Sequence, residues 1–322
     1  MSRYPFGIPD GWFLLAYSDE LARGQILSVH VLGKDLVAYR AESGSVRVLD
    51  AHCPHLGAHL GAGGRVVGDT LQCPFHGWRF GADGACVEIP YATRIPTGAR
   101  AGTHPVAERN GMIFVWHHAL GDAPSFEIPT RPEWGDREWL GDWMRWDWTV
   151  RTHPQEMGEN GIDWPHFATI HGIPAPSDRS WEFREHSFFW QVGGTKPVTA
   201  LESGQDAILM YGENWGLGYS WLRQEGHYDT LVVTGMTPID TERTRVRMAV
   251  LARIGAEPTP TVRAAFEAYM KEHAVFAEAD FPIWENKLFR ERPALCDGDG
   301  PIADYRRWAS QFYSQSMERE NR

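Results

Sequence analysis

The spacing of apolar positions changes part-way along the chain. Up to about residue 117 the apolar runs are short and alternate with polar residues. Gln25 to Leu32, Lys34 to Arg40 and Ser45 to Leu49 have strand length, and Gly33 and Ser43-Gly44 interrupt them. Thr103 to Glu108 and Met112 to Trp116 follow the same rule, with Arg109-Asn110-Gly111 as a hairpin turn between them. This pattern predicts an all-β domain over residues 1–120. Pro124, Pro129 and Pro132 then mark a connection. Residues 121–322 mix two periods. A strand begins at Trp143, a helical stretch covers Pro154 to His171, and strands recur in Phe188-Phe189-Trp190, Ala207 to Tyr211, Gly218 to Leu222, Leu231 to Pro238 and Arg245 to Arg253. Val262, Phe266, Tyr269, Met270 and Phe276 then repeat at helical spacing between Thr259 and Leu288, and an amphipathic helix runs from Ile302 to Met317. The predicted class is α+β: an all-β domain, then an antiparallel sheet flanked by helices.

Composition narrows the function classes. Apolar residues are 43% of 322, enough for two cores. The net charge is −11, from 31 basic and 42 acidic residues with no basic run, which argues against nucleic-acid binding. No stretch approaches the roughly 20 apolar residues of a membrane span. Met1-Ser2-Arg3-Tyr4-Pro5 carries no apolar signal core. Only four Cys occur, so a disulfide framework is not expected and a reducing, cytoplasmic setting is.

Two of those Cys sit in matching loops. One reads Ala51-His52-Cys53-Pro54-His55-Leu56-Gly57, the other Gln72-Cys73-Pro74-Phe75-His76-Gly77-Trp78. Two Cys with two His suit either tetrahedral zinc or a Rieske [2Fe-2S] cluster. A zinc finger pairs Cys with Cys on one knuckle, whereas here each loop supplies one Cys and one His. That is the cluster arrangement, with Cys53, His55, Cys73 and His76 as ligands. Cys86 and Cys296 remain as small packing residues.

A second stretch, Asp163-Trp164-Pro165-His166-Phe167-Ala168-Thr169-Ile170-His171, holds two His near a carboxylate. Two His and one carboxylate on one side of a metal make a non-haem Fe(II) site. Five residues at about 100° each turn His171 roughly 140° from His166 around a regular helix. A helix end or irregularity is therefore required, and Pro165 and Gly172 offer one. A third ligand has to come from downstream, and Glu278, Asp280 and Glu285 are equal candidates on physical grounds.

Taken together, these motifs resemble the Rieske non-haem iron oxygenases, and within them the 3-ketosteroid 9α-hydroxylase and cholesterol 7-desaturase type. The respiratory Rieske proteins carry an extra Cys in each loop, where this chain has Leu56, Gly57 and Ala58, then Pro74 and Phe75. Glu88-Ile89-Pro90-Tyr91-Ala92, Asp280 to Lys287 and Gly300 to Trp308 also look like the steroid-hydroxylating members. The resemblance implies a Rieske [2Fe-2S] cluster and mononuclear Fe(II), with Asp280 joining His166 and His171. It implies that Asp163 bridges an iron His to a cluster His, His76, of the next subunit in a homotrimer. It implies O2 as co-substrate and electrons from NAD(P)H through a separate reductase or ferredoxin. No dinucleotide-binding glycine motif occurs in the chain itself. The least family-like stretch holds Trp181, Phe183, Phe188, Phe189, Trp190, Tyr211, Trp215, Tyr219 and Trp221, and strand alternation sends about half of them toward the iron. A hydrophobic substrate of sterol or steroid size is expected, to be hydroxylated, desaturated or demethylated. The rivals are an oxygenase of another small aromatic and a Rieske electron carrier. A carrier would need only the first domain.

Overall fold

In a computed structural model the described residues are 3–139, 143–173, 178–198, 202–255 and 257–314. Two compact units divide them, one of residues 12–129 and one of 3–11 with 130–314. These replace the expected halves 1–120 and 121–322. The break falls inside the proline-marked connection, after Pro129.

The first unit is all β. A three-stranded sheet holds β1 (Gly11–Tyr17), β11 (Met112–His117) and β10 (Val106–Arg109), in that order. A four-stranded sheet orders β2 (Ile26–Val31), β3 (Lys34–Arg40), β4 (Val46–Asp50) and β9 (Thr103–His104). A small sheet of β5 (Arg65–Val67), β6 (Thr70–Gln72), β7 (Arg79–Phe80) and β8 (Cys86–Glu88) carries the Cys-His loops. The predicted strand over Thr103 to Glu108 is two, because Pro105 has no N–H to donate to a ladder. Asn110 and Gly111 take φ of 54° and 73°, the backbone a two-residue hairpin demands. β1 was not expected from the pattern. Its seven residues, Gly-Trp-Phe-Leu-Leu-Ala-Tyr, are buried on both faces and so do not alternate.

The second unit is a seven-stranded antiparallel sheet. Its order is β12 (Met144–Val150), β18 (Thr244–Ala252), β17 (Thr230–Pro238), β16 (Tyr219–Glu225), β15 (Gln205–Trp215), β14 (Ser187–Pro197) and β13 (Asp178–Phe183). The expected helix over Pro154 to His171 is two, α1 (Pro154–Asn160) and α2 (Trp164–His171). Pro165 sets the break, since it is tolerated only in a first turn. The same device splits the region Thr259 to Leu288 into α3 (Pro260–Glu278) and α4 (Phe281–Asn286), with Pro282 in the first turn of α4. The last helix, α5, covers Ile302–Ala309 and tightens into one 3₁₀ turn at Ser310–Phe312. The rest of the predicted helix, beyond Ser314, lies outside the described residues.

Residues 3–11 belong with this unit through specific bonds. Arg3 donates to the carbonyls of Arg151, Trp284 and Lys287, and its backbone N–H to Glu242. Phe6 packs between His153, Phe289 and Tyr313.

Candidate active site

The two Cys-His loops repeat one backbone design. In the first, the Cys53 N–H donates to the Ala58 carbonyl at 2.9 Å and the Gly57 N–H to the Cys53 carbonyl at 3.0 Å. In the second, the Cys73 N–H donates to Trp78 at 2.8 Å and the Gly77 N–H to Cys73 at 3.1 Å. Each closes on a glycine at positive φ, 74° at Gly57 and 73° at Gly77, where a side chain would be strained. Cys53 and Cys73 are buried, and their side chains meet. His55 and His76 sit further out with ring centroids 4.7 Å apart. His55 stacks on Trp78 at 4.4 Å, and the Trp78 indole donates to the Tyr91 hydroxyl at 2.9 Å. Burial pushes the Cys53 thiol up to about 11, and the neighbouring Cys73 adds to the rise. Buried thiols of this kind become thiolates when a cationic centre compensates their charge, which iron held by the two loops would do. The buried Nδ1 of His55 has no hydrogen-bond partner, as a ligand atom requires. Cys86 is buried in the same core and Cys296 is exposed.

The second centre forms at two helix breaks. His166 lies in the first turn of α2 and His171 is its last residue, where Gly172 turns the chain at φ 65°. The helix end answers the angular problem, and the two rings come within 5.1 Å. Asp280 occupies the N-cap position of α4, ahead of Pro282, and its side chain makes no capping bond. One ligand-type atom from each of His166, His171 and Asp280 lies within 4.8 Å of the others, and all three residues are buried. Asp280 Oδ1 stands 3.3 Å from His171 Nε2. Neither Asp280 Oδ1 nor His171 Nδ1 makes a hydrogen bond. Buried, unpartnered donors of this kind fit a bound cation. The other two candidates do not converge. Glu278 accepts from the Trp148 indole at 3.0 Å, and Glu285 faces the Arg151 N–H at 3.4 Å.

Asn160, which the sequence reading did not single out, organises this centre. Its amide donates to Asp280 Oδ2 at 2.9 Å and meets His166 Nε2 at 3.1 Å. On the far side, His166 Nδ1 is bonded to the Asp163 carbonyl. With the Asp163 carbonyl accepting, the proton sits on Nδ1 and Nε2 is the acceptor, here of the Asn160 amide, which is the lone pair a metal would take over. Only a three-dimensional neighbour reveals Asn160, because it lies on a different helix from the residues it orients. Asp163 keeps its carboxylate partly exposed, with Oδ2 4.0 Å from His166 Nδ1. Burial raises its pKa, against the pull of His166. Burial lowers that of His166, against the pull of Asp280.

The centre opens into a cavity of about 220 Å³ under the sheet. Trp148, Phe167, Phe276, Phe281 and Trp284 supply its aromatic wall. Of the nine aromatics expected from residues 181–221, Trp190 and Trp221 border it. Phe183 and Phe188 instead pack on Trp308 of α5.

Family models match the chain over nearly its whole length. Residues 11–99 match the Rieske [2Fe-2S] domain, and residues 115–313 the 3-ketosteroid 9alpha-hydroxylase C-terminal domain. Cholesterol 7-desaturase of Xenopus laevis is 34% identical over 96% of this chain and 72% of its own. A probable 3-ketosteroid-9-alpha-monooxygenase oxygenase component of Rhodococcus rhodochrous is 34% identical over 94% of this chain and 79% of its own. The chain belongs to the Rieske oxygenases of this type. The fold is shared more widely: dicamba monooxygenase superposes with a TM-score of 0.77 at 18% identity, over 96% of this chain and 98% of that one. As a Rieske oxygenase the protein is a terminal oxygenase component, with a [2Fe-2S] cluster and mononuclear iron as cofactors and a separate reductase or ferredoxin as electron donor. No helix among the described residues is long and apolar enough to cross a membrane.

Proposed function

We propose that this Rieske oxygenase oxidises a sterol or steroid, with Cys53, His55, Cys73 and His76 holding the cluster and His166, His171 and Asp280 holding Fe(II). The observation that carries the reading is the buried His166–His171–Asp280 group opening into an apolar, aromatic-walled cavity. Iron bound there supplies a centre at which dioxygen is activated by electrons from the cluster. The chain's own residues do the rest. Asn160 and the Asp163 carbonyl fix His166 in one tautomer and orientation. The aromatic wall excludes water and holds a rigid apolar molecule by shape. Burying four fused rings removes on the order of 300 Å² of apolar surface, roughly 7 kcal/mol before binding costs.

Asp163 is the proposed link between centres. Its half-exposed carboxylate can accept from His76 of the partner subunit in a homotrimer while its carbonyl holds His166. The test is oxygen uptake with product analysis, run with a matched reductase over a panel of sterols, steroids and small aromatics. Oxidation of a sterol or steroid, with one atom of 18O2 in any alcohol formed, is the expected result. Turnover of small aromatics alone would remove the substrate assignment.

A further inference from the structure

The cavity wall formed by the sheet is apolar except at Gln224 and along one line. Cross-strand register places Asn214 of β15 opposite Ser220 of β16, and Ser220 opposite Thr234 of β17. Directly opposed residues on one face bring their side chains within about 5 Å of each other. The three therefore form a polar row across neighbouring strands, and all three line the cavity. Apolar rows flank it, Leu222 beside Val232 on one side and Met236 beside Val246 on the other.

Two facts set this row apart. Asn214 is only 7% exposed, yet neither its amide nor the Ser220 or Thr234 hydroxyl makes a side-chain hydrogen bond among the described residues. Asn is also disfavoured in strands, so folding alone argues for an apolar residue there. An amide and two hydroxyls set between apolar rows on a cavity wall are polar groups placed to meet a polar atom of whatever fills the cavity. The contrast is Gln224, two pairs further along β16, whose amide donates to the Tyr269 hydroxyl at 2.6 Å. That hydroxyl in turn donates to Asp206 at 2.8 Å. That polar group is engaged within the protein, and the row is not.

We propose that Asn214, Ser220 and Thr234 are the anchor for an oxygen function, a hydroxyl or a ketone, on an otherwise apolar substrate. The row thereby sets which end of the molecule enters and which carbon faces the iron. The proposal rests on the sterol or steroid reading above. An amide and two hydroxyls offer both donors and acceptors, so either oxygen function is accommodated. A hydrocarbon of the same shape would leave the row dry.

The experiment uses the holoenzyme. Tryptophan-fluorescence titration reads the affinity for a 3-hydroxysteroid, a 3-ketosteroid and the matching 3-deoxy hydrocarbon, and mass spectrometry reads the position oxidised. Asn214→Leu is expected to weaken whichever oxygenated probe the wild type prefers by about tenfold. It should leave the deoxy compound within about threefold and scatter the position of oxidation. Thr234→Val, nearly isosteric and only half-buried, repeats the readout should Asn214→Leu not fold, and Thr234→Ser should restore discrimination. Equal losses for oxygenated and deoxy probes, or none, overturn the anchor while leaving the steroid reading standing. A wild type that binds no steroid removes both.

Discussion

Asn160 reaches two members of the proposed iron triad with one amide, so its loss should be felt as a metal defect. Asn160→Ala is expected to lower iron affinity about tenfold to a hundredfold while the reduced cluster keeps its electron-paramagnetic signal. Metal analysis beside the spectrum checks this. His171→Ala or Asp280→Ala should abolish iron and turnover with the same intact cluster signal, and Cys53→Ser should abolish the cluster signal and turnover while the mononuclear iron stays. If Asp280→Ala still holds iron, Glu278 or Glu285 must be reconsidered. The Cys-His loops and the His166–His171 pair could be read from the chain because each motif is local, within a few residues. The third member of the group could be chosen only through the family resemblance, because local spacing leaves Glu278, Asp280 and Glu285 equivalent and only the fold brings Asp280 beside the two His. Asn160 and the Asn214–Ser220–Thr234 row were hidden for the same reason, since helix packing and strand register bring them to the cavity.

Helix ends, more than helix interiors, position this chemistry. Gly172 holds φ 65° directly after His171. Gly172→Ala should cost about 1 kcal/mol in unfolding free energy, and it should reduce iron occupancy as well by moving the His171 ring. At the start of α1, His153 is fully buried and caps the helix, accepting from the Gln155 N–H at 3.2 Å and bonding Gly7 at 3.0 Å. Burial lowers its pKa from 6.5 to about 4. The unfolded chain therefore takes up a proton below 6.5 that the folded chain refuses until about 4. Stability is whole above pH 6.5 and falls as pH drops toward 4, by about 3 kcal/mol at most. His153→Asn keeps a capping side chain and removes the titration. Its melting temperature should fall less than the wild type's between pH 7 and 5. The strands, helices and their class followed from periodicity, which ran through the breaks at Pro105 and Pro282, whereas the one at Pro165 was expected from the angle between His166 and His171. Periodicity reports which face is buried and runs on through a proline that interrupts hydrogen bonding.

At the scale of the whole molecule, the first few residues serve the second unit. Arg3→Ala removes bonds to Arg151, Trp284 and Lys287 and should lower that unit's stability by about 1–3 kcal/mol, read as denaturant midpoint with the cluster signal unchanged. The same tie closes the chain on itself, since the Asp10 N–H donates to the Phe312 carbonyl and the Ser314 N–H to the Asp10 carboxylate. Residues 12–129 are contiguous, but the unit around the iron needs both ends of the sequence. On the ribosome, then, the cluster-binding unit can fold and take up its iron and sulfide while translation continues. The second unit must wait until Ser314 emerges, with residues 3–11 already long since made. A nascent chain arrested once Pro129 has left the ribosome should accordingly show cluster colour, and only chains extended past Ser314 should complete the pocket for substrate.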